Sequence, residues 1–89
     1  MKRIRGLVTG IVQGVCYRAS TREKAESLCL SGWVRNLPNG DVEFEAEGST
    51  EDVDALVMWA WKGPSAAQVD HVEIQIVAAQ HDHGFVISH

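Results

Sequence analysis

Short stretches of the chain alternate between hydrophobic and polar residues, a pattern that predicts β-strands. The clearest alternation spans residues 41–47, where Val42, Phe44 and Ala46 separate acidic residues. One face of this strand is expected to be buried, and the other, which carries the glutamates, to face water. Further strands are predicted over residues 3–12, 33–37 and 71–76, and the short apolar piece Phe85-Val86-Ile87 is a candidate for a fifth.

Two other stretches have apolar residues at helical spacing. Ser20 with Glu23 three residues later forms a capping-box pattern, which predicts a helix over residues 19–30. Ser49 is the predicted N-cap of a second helix, which should end at Gly63-Pro64. The apolar residues of the second helix fall at i, i+3, i+4, i+7 and i+8: Val53, Leu56, Val57, Ala60 and Trp61.

The predicted order of elements is βαββαβ, with a hairpin turn at Pro38-Asn39-Gly40 between the second and third strands. This order is typical of an α+β, ferredoxin-like sandwich, in which two helices cover one face of an antiparallel sheet. Since 89 residues leave little room for a second core, residues 1–89 are predicted to form a single domain. Many unrelated activities occur on this fold, so the fold alone does not indicate a function.

The composition narrows the class of protein. The chain is 45% hydrophobic and 22% charged, which is ordinary for a folded domain. It has neither an apolar run of about 20 residues, as a membrane span needs, nor a signal-peptide pattern, so a cytoplasmic protein without a membrane partner is expected. The net charge of −4 argues against a nucleic acid partner. Cys16 and Cys29 are expected to be free thiols.

The stretch from Val12 to Arg18 carries the clearest chemical signal, since it lies where the first strand ends and a helix begins. A short glycine-containing loop at a helix N-terminus presents backbone N–H groups to an anion, and an arginine at its end adds a fork of charged donors. The sequence therefore predicts a phosphate-binding loop. Its candidate residues are Gln13, Gly14, Val15, Cys16, Tyr17 and Arg18.

Three segments together resemble the motifs of the acylphosphatase family. Gly10-Ile11-Val12-Gln13-Gly14-Val15-Cys16-Tyr17-Arg18 is similar to the family's G-x-V-Q-G-V-x-[FY]-R. Gly32-Trp33-Val34-Arg35-Asn36 is similar to G-[FYW]-V-x-N, and Gly63-Pro64-Ser65-Ala66-Ala67-Gln68-Val69 to G-P-x-x-A-x-V. The resemblance covers nearly the whole chain, but Ser88 stands where family members often have an arginine.

The resemblance implies hydrolysis of the carboxyl–phosphate bond of small acyl phosphates, with no metal or other cofactor. Arg18 matches the family's phosphate-binding arginine, and Asn36 matches the asparagine that positions the attacking water. Phosphate or sulfate is expected to bind as a product-like ligand. We expect the protein to act on its small substrate as a monomer.

Acyl phosphates need little catalytic help, because a carboxylate is already a good leaving group and requires no general acid. The remaining tasks are to bind the phosphoryl group, stabilise its oxygens and align one water. An arginine with backbone N–H groups suits the first two tasks. An asparagine suits the third, since its amide both donates and accepts hydrogen bonds and does not titrate.

A second phosphatase chemistry matches part of the same loop. Cys16 and Arg22 have the bare C-x5-R spacing of cysteine-dependent phosphatases, in which a thiolate attacks phosphorus and the arginine binds the oxygens. The residues between them lack the glycines usual in such a loop, and Glu23 replaces the usual serine or threonine. We therefore favour attack by water.

Other classes of function receive less support. An RNA-binding sheet would need exposed aromatic residues, whereas Glu43, Glu45 and Glu47 are expected on the open face. A non-catalytic anion-binding or regulatory domain is disfavoured by the presence of both Arg18 and Asn36. The segment His81-Asp82-His83 contains candidate metal ligands, but no third ligand at a fixed spacing is apparent, so an exposed loop is the preferred interpretation.

Overall fold

The computed structural model describes residues 1–89 and consists of a five-stranded sheet with two helices packed on it. In chain order the elements are β1 (Lys2–Ile11), α1 (Tyr17–Ser27), β2 (Ser31–Asn36), β3 (Val42–Gly48), α2 (Thr50–Lys62), β4 (Gln68–Val77) and β5 (Phe85–Ile87). The predicted ferredoxin-like βαββαβ order is confirmed, and the candidate fifth strand is present. Neither helix has the length and apolar character needed to cross a membrane.

The strands lie in the order β4-β1-β3-β2-β5. The first four pair antiparallel, as predicted, but β5 pairs parallel to β2, with Val34 opposite Ile87, so the complete sheet is mixed. β4 and β5 occupy opposite edges, and the segment of residues 78–84 joins them across the sheet. We call residues 78–84 the crossing segment. The crossing segment places the C-terminal strand β5 beside β2.

Alternation along the strands places every second side chain between the sheet and the helices. Ile4 and Val8 of β1 and Phe44 of β3 are fully buried there, as the strand pattern requires. In α2, Val53, Leu56 and Ala60 are buried, but Trp61, which the helical spacing includes in the apolar stripe, is 48% exposed. The side chain of Trp61 instead lies edge-on to His71, with ring centroids 5.4 Å apart.

α1 starts earlier than the capping-box pattern predicts. Its N-cap is Cys16, whose φ of 63° is left-handed and which makes no side-chain cap, so the prediction that Ser20 starts the helix is wrong. Tyr17 explains the shift. Its side chain is buried, and its hydroxyl donates to the Ala60 carbonyl at 2.7 Å. Packing of this one side chain therefore outweighs the local capping preference of Ser20.

The predicted ends of α2 are confirmed. Ser49 Oγ accepts a hydrogen bond from the Asp52 N–H at 3.2 Å, and Gly63, with φ 66°, ends the helix. Pro64 has no N–H to give the Ala60 carbonyl four residues earlier, and the Tyr17 hydroxyl takes its place. The start of α1 and the end of α2 are thereby tied together.

The alternation predicts that the open face of β3 is exposed to water, but this prediction is wrong for Glu45 and Glu47. Glu45 and Glu47 are buried, because both accept hydrogen bonds from the Arg3 guanidinium, and Glu47 also accepts hydrogen bonds from the crossing segment. Arg3 Nε donates to Glu45 at 2.7 Å, and Arg3 Nη1 donates to Glu47 at 3.1 Å and to Asp82 at 3.0 Å. Three carboxylates thus surround one buried arginine on the face of the sheet opposite the helices.

The charges of this cluster stabilise one another. Backbone N–H donation from Gln80, at 2.7 Å, together with Arg3, lowers the pKa of Glu47 below its ordinary 4.5 despite burial. Burial alone would raise the pKa of Asp82, but hydrogen bonds from Arg3 and Ser31, a backbone hydrogen bond and the positive charge of Arg3 together outweigh it, and the pKa lies below the usual 3.8. Burial likewise opposes the charge of Arg3, yet hydrogen bonds to its carboxylate partners raise its pKa. Arg3, Glu47 and Asp82 are therefore charged at neutral pH.

Candidate functional site

An open pocket of about 510 Å³ lies where the loop between β1 and α1 meets the ends of β2 and β5. No Asp or Glu lines it, although the chain contains 12 acidic residues and carries a net charge of −4. The pocket is therefore a local positive region on an acidic protein. Its lining residues are Val12, Gly14, Cys16, Tyr17, Arg18, Ala19, Arg22, Asn36, Ile87 and His89.

The loop presents a run of free backbone donors. The N–H groups from Gly14 to Ala19 donate to no acceptor within the protein, and the first helical hydrogen bond is from Ser20 N to Cys16 O, at 3.0 Å. Gly14 and Cys16 both have left-handed φ values, of 74° and 63°, which turn the backbone sharply at this point. Unpaired N–H groups in such a turn before a helix form a cradle for an anion.

Arg18 lies in the first turn of α1, directly beside these donors. Its guanidinium has no carboxylate partner, and its only polar contact is from Nη1 to His89 Nδ1 at 3.4 Å. This contact with His89 was not predicted from the sequence, because it depends on β5 lying parallel to β2. Arg18 lies close to the loop, as predicted, and its guanidinium is free to donate hydrogen bonds to an anion.

Asn36 ends β2 and enters the same pocket, so the two residues predicted to act together do lie together. Its Oδ1 is buried and has no hydrogen-bond donor in the protein. Buried polar atoms are rarely left unpaired, so this oxygen marks a place where a donor from outside the chain is expected. A water molecule beside the anion cradle would supply that donor.

Gln13 links the loop to the β2–β3 hairpin. Its Nε2 donates to the carbonyl groups of Leu37 and Asp41, at 2.8 Å each. These bonds hold Asn36, the residue before Leu37, next to the loop. The side chain of Gln13 is thus engaged in the hairpin, and any contact of Gln13 with a phosphate would come from its backbone.

The remaining loop residues contribute in different ways. Burial raises the pKa of Tyr17, whose side chain lies in the core 5.6 Å from the ring of Trp59, so only its N–H faces the site. Val15 packs partly against the core. The side chain of Cys16 is exposed and lines the pocket, and both Cys16 and Cys29 are free thiols, as expected.

The structure bears on two alternatives from the sequence analysis, the cysteine-dependent phosphatase loop and the metal site at His81-Asp82-His83. Arg22 lines the same pocket as Cys16, so the C-x5-R pair does share a site with Arg18. In the segment His81-Asp82-His83, Asp82 is bound to Arg3, and no group of three or more His, Cys, Asp or Glu side chains is placed to hold a metal ion. The prediction of an exposed loop is right for His81 and His83 and wrong for Asp82, which is partly buried.

Comparison with known proteins gives a consistent result. The acylphosphatase family model matches residues 4–87. A curated acylphosphatase from Methylococcus capsulatus is 54% identical over 78 residues, which cover 88% of this chain and 85% of that protein. The solved acylphosphatase from Coxiella burnetii superposes with a TM-score of 0.95 at 40% identity, covering 98% and 92% of the two chains. The acylphosphatase from Bacillus subtilis gives 0.95 at 30% identity over both complete chains.

Proposed function

The chain belongs to the acylphosphatase family and is a hydrolase of acyl phosphates, and we propose that Arg18 and Asn36 are its catalytic residues. Arg18 and the N–H groups from Gly14 to Arg18 bind the phosphoryl oxygens. Asn36 Oδ1 accepts a hydrogen bond from the attacking water and holds it in line with the bond to be broken. The unpartnered Oδ1 in a pocket lined by Arg18 is the observation that carries this assignment.

The reaction needs no proton donor on the leaving side. The water oxygen forms a bond to phosphorus while the bond from phosphorus to the carboxyl oxygen breaks, and the electron pair leaves with the carboxylate. The water releases its proton to solvent or to the phosphate. Preorganised donors stabilise the charge that spreads over the phosphoryl oxygens, so positioning and electrostatics supply the rate acceleration.

Because these steps use only this chain's side chains and amides, we propose that turnover requires no metal. A colorimetric assay of acyl phosphate hydrolysis, with and without excess chelator, tests this. Equal rates are expected, with inorganic phosphate or sulfate as a competitive inhibitor. Activity that disappears in chelator and returns with a divalent ion would contradict the proposal, as would an anion that binds without competing with substrate.

We also propose that residues 1–89 act as one domain, as a monomer and in the cytoplasm. The shared core of both helices and the sheet supports a single domain. Sedimentation of the purified protein tests the monomer, and a dimer whose dissociation abolishes activity would contradict it.

A further inference from the structure

Arg22 is the one arginine of this chain with no polar partner. Arg3 and Arg35 pair with carboxylates, Arg5 donates to Gln75, and Arg18 contacts His89. Arg22 makes neither a hydrogen bond nor an ion pair, and its side chain is exposed at the wall of the catalytic pocket.

The position of Arg22 relative to Arg18 separates their tasks. The two residues are four apart on α1, so they lie on the same side of the helix, displaced by about 6 Å along its axis. The free N–H groups that form the anion cradle belong to the loop and the first helical residues, from Gly14 to Ala19. Arg22 lies beyond them, one turn away from the phosphoryl position.

Part of the pocket wall is apolar. Ala19 of α1 and Ile87 of β5 line the pocket together with the two arginines, and neither offers a side-chain hydrogen bond to a substrate. An aliphatic acyl chain fits such a surface. With the phosphoryl group at Arg18, the far end of a short acyl chain would reach the guanidinium of Arg22.

We propose that Arg22 binds a carboxylate at the far end of the acyl group, so that this acylphosphatase prefers the monoacyl phosphates of dicarboxylic acids. This inference rests on the proposed function, because it assumes that Arg18 holds the phosphoryl group. A guanidinium pairs with a carboxylate through two parallel N–H donors, which a neutral acyl chain cannot accept. Arg22 is thus a specificity-determining residue, and the hydrolysis of neutral acyl phosphates does not depend on it.

The test compares two substrates of equal chain length, succinyl phosphate and butyryl phosphate, which differ only in the terminal carboxylate. In Arg22→Gln, kcat/KM for succinyl phosphate should fall by at least about tenfold, the size expected for loss of a charged hydrogen bond. For butyryl phosphate the change should stay below about twofold. The loss on succinyl phosphate should shrink at high salt.

Lys24→Gln is the matched control, since it removes the same charge from the same helix but lies in a separate groove beside Trp59. Lys24→Gln should leave kcat/KM unchanged for both substrates. An equal loss on both substrates in Arg22→Gln would overturn the inference, because Arg22 would then serve the phosphoryl group, as a cysteine mechanism requires. No loss on either substrate would overturn it as well.

A binding experiment separates this inference from the proposed function. Calorimetry with an alkylphosphonate and with the ω-carboxyalkylphosphonate of the same chain length requires no turnover. The carboxylated ligand should bind the wild type more tightly, and Arg22→Gln should abolish that difference. If the wild type hydrolyses neither substrate, the proposed function fails, and the two phosphonates still decide whether Arg22 recognises a carboxylate.

Discussion

Arg18 is the only side chain that brings a fixed positive charge next to the unpaired N–H groups of the loop. In the proposed mechanism, replacing it with alanine removes both a donor to the developing charge and the main attraction for the phosphoryl group. We expect Arg18→Ala to lower kcat by at least about 10²–10³ and to raise KM, in steady-state assays of acyl phosphate hydrolysis. Arg5→Ala removes the same charge from the opposite face of the sheet and should change neither value. Near-normal kinetics in a folded Arg18→Ala protein would contradict the assignment.

Substitution of Asn36 should lower kcat alone, whereas substitution of Arg18 changes both kcat and KM. In the proposed mechanism the Asn36 amide positions the water and does not hold the phosphoryl group, so Asn36→Ala should reduce kcat by about 10²-fold with little change in KM. Asn39→Ala makes the same substitution in the adjacent turn, where the amide bonds only to Asp41, and activity should persist. A rise in KM without loss of kcat would show that Asn36 binds substrate instead.

Cys16 distinguishes attack by water from attack by a thiolate. It is exposed and lines the same pocket as Arg18 and Arg22, so its presence there does not by itself decide between the two chemistries. With water as the nucleophile, Cys16→Ser should retain most activity, like Cys29→Ser, which changes the other exposed thiol of positive φ. With a thiolate, serine should lose several orders of magnitude, because its hydroxyl is scarcely ionised at neutral pH. An inactive Cys16→Ser beside an active Asn36→Ala would reverse the mechanism.

At the scale of elements, local patterns predicted the strands and helices better than their boundaries. Ser49 and Gly63 delimit α2 as predicted, because capping and a positive φ are properties of nearby residues. The start of α1 was missed because it depends on Tyr17 reaching Ala60, 43 residues away. The pairing of β5 with β2 is equally non-local, and with it the approach of His89 to Arg18.

The candidate site was predictable to the same extent. Arg18, Asn36 and the loop stand in recognisable motifs, and the structure brings them to one pocket. The role of the Gln13 side chain in the hairpin could not be read from the motif, because both its acceptors are backbone carbonyl groups. Arg22 was visible only as part of the C-x5-R spacing, since its lack of a partner is a property of the folded chain.

The contact between the ends of the two helices gives the prediction at this scale. Tyr17→Phe leaves the Ala60 carbonyl without its donor, and we expect a loss of about 1 kcal/mol in the free energy of unfolding, measured with urea. Ser49→Ala, which removes the N-cap at the other end of α2, should cost about the same and serves as the comparison. Activity of folded Tyr17→Phe should change little, because only the N–H of Tyr17 faces the site. Unchanged stability would show that the hydroxyl is not needed at this helix end.

At the scale of the whole molecule, the ionic cluster of Arg3, Glu45, Glu47 and Asp82 links distant parts of the chain, and the sequence pattern did not predict it. Alternation predicted that Glu45 and Glu47 face water. Instead, both are buried together with Arg3, which precedes them in the chain by 42 and 44 residues. The same guanidinium binds Asp82 and so fixes the crossing segment, which leads to β5 and the pocket residues Ile87 and His89. The cluster on one face of the sheet thereby helps to position a wall of the pocket on the other.

Removal of Arg3 should destabilise the whole molecule in a pH-dependent way. Arg3→Met leaves three neighbouring carboxylates without their cation, and breaking a buried ionic group of this kind costs about 3–5 kcal/mol of unfolding free energy at neutral pH. Glu47 and Asp82 have pKa values below their ordinary 4.5 and 3.8, so their ionised forms stabilise the fold at neutral pH, and this contribution disappears as the pH falls through the folded values. The difference between wild type and Arg3→Met should therefore be largest at neutral pH and narrow as the pH falls through the lowered pKa values and the carboxylates become protonated in both proteins. Denaturant unfolding across this range measures it, with Arg5→Met, on the same strand and face, as a control that should show neither effect. A difference that stays constant with pH, or an equal loss in Arg5→Met, would mean that Arg3 stabilises the fold by packing alone.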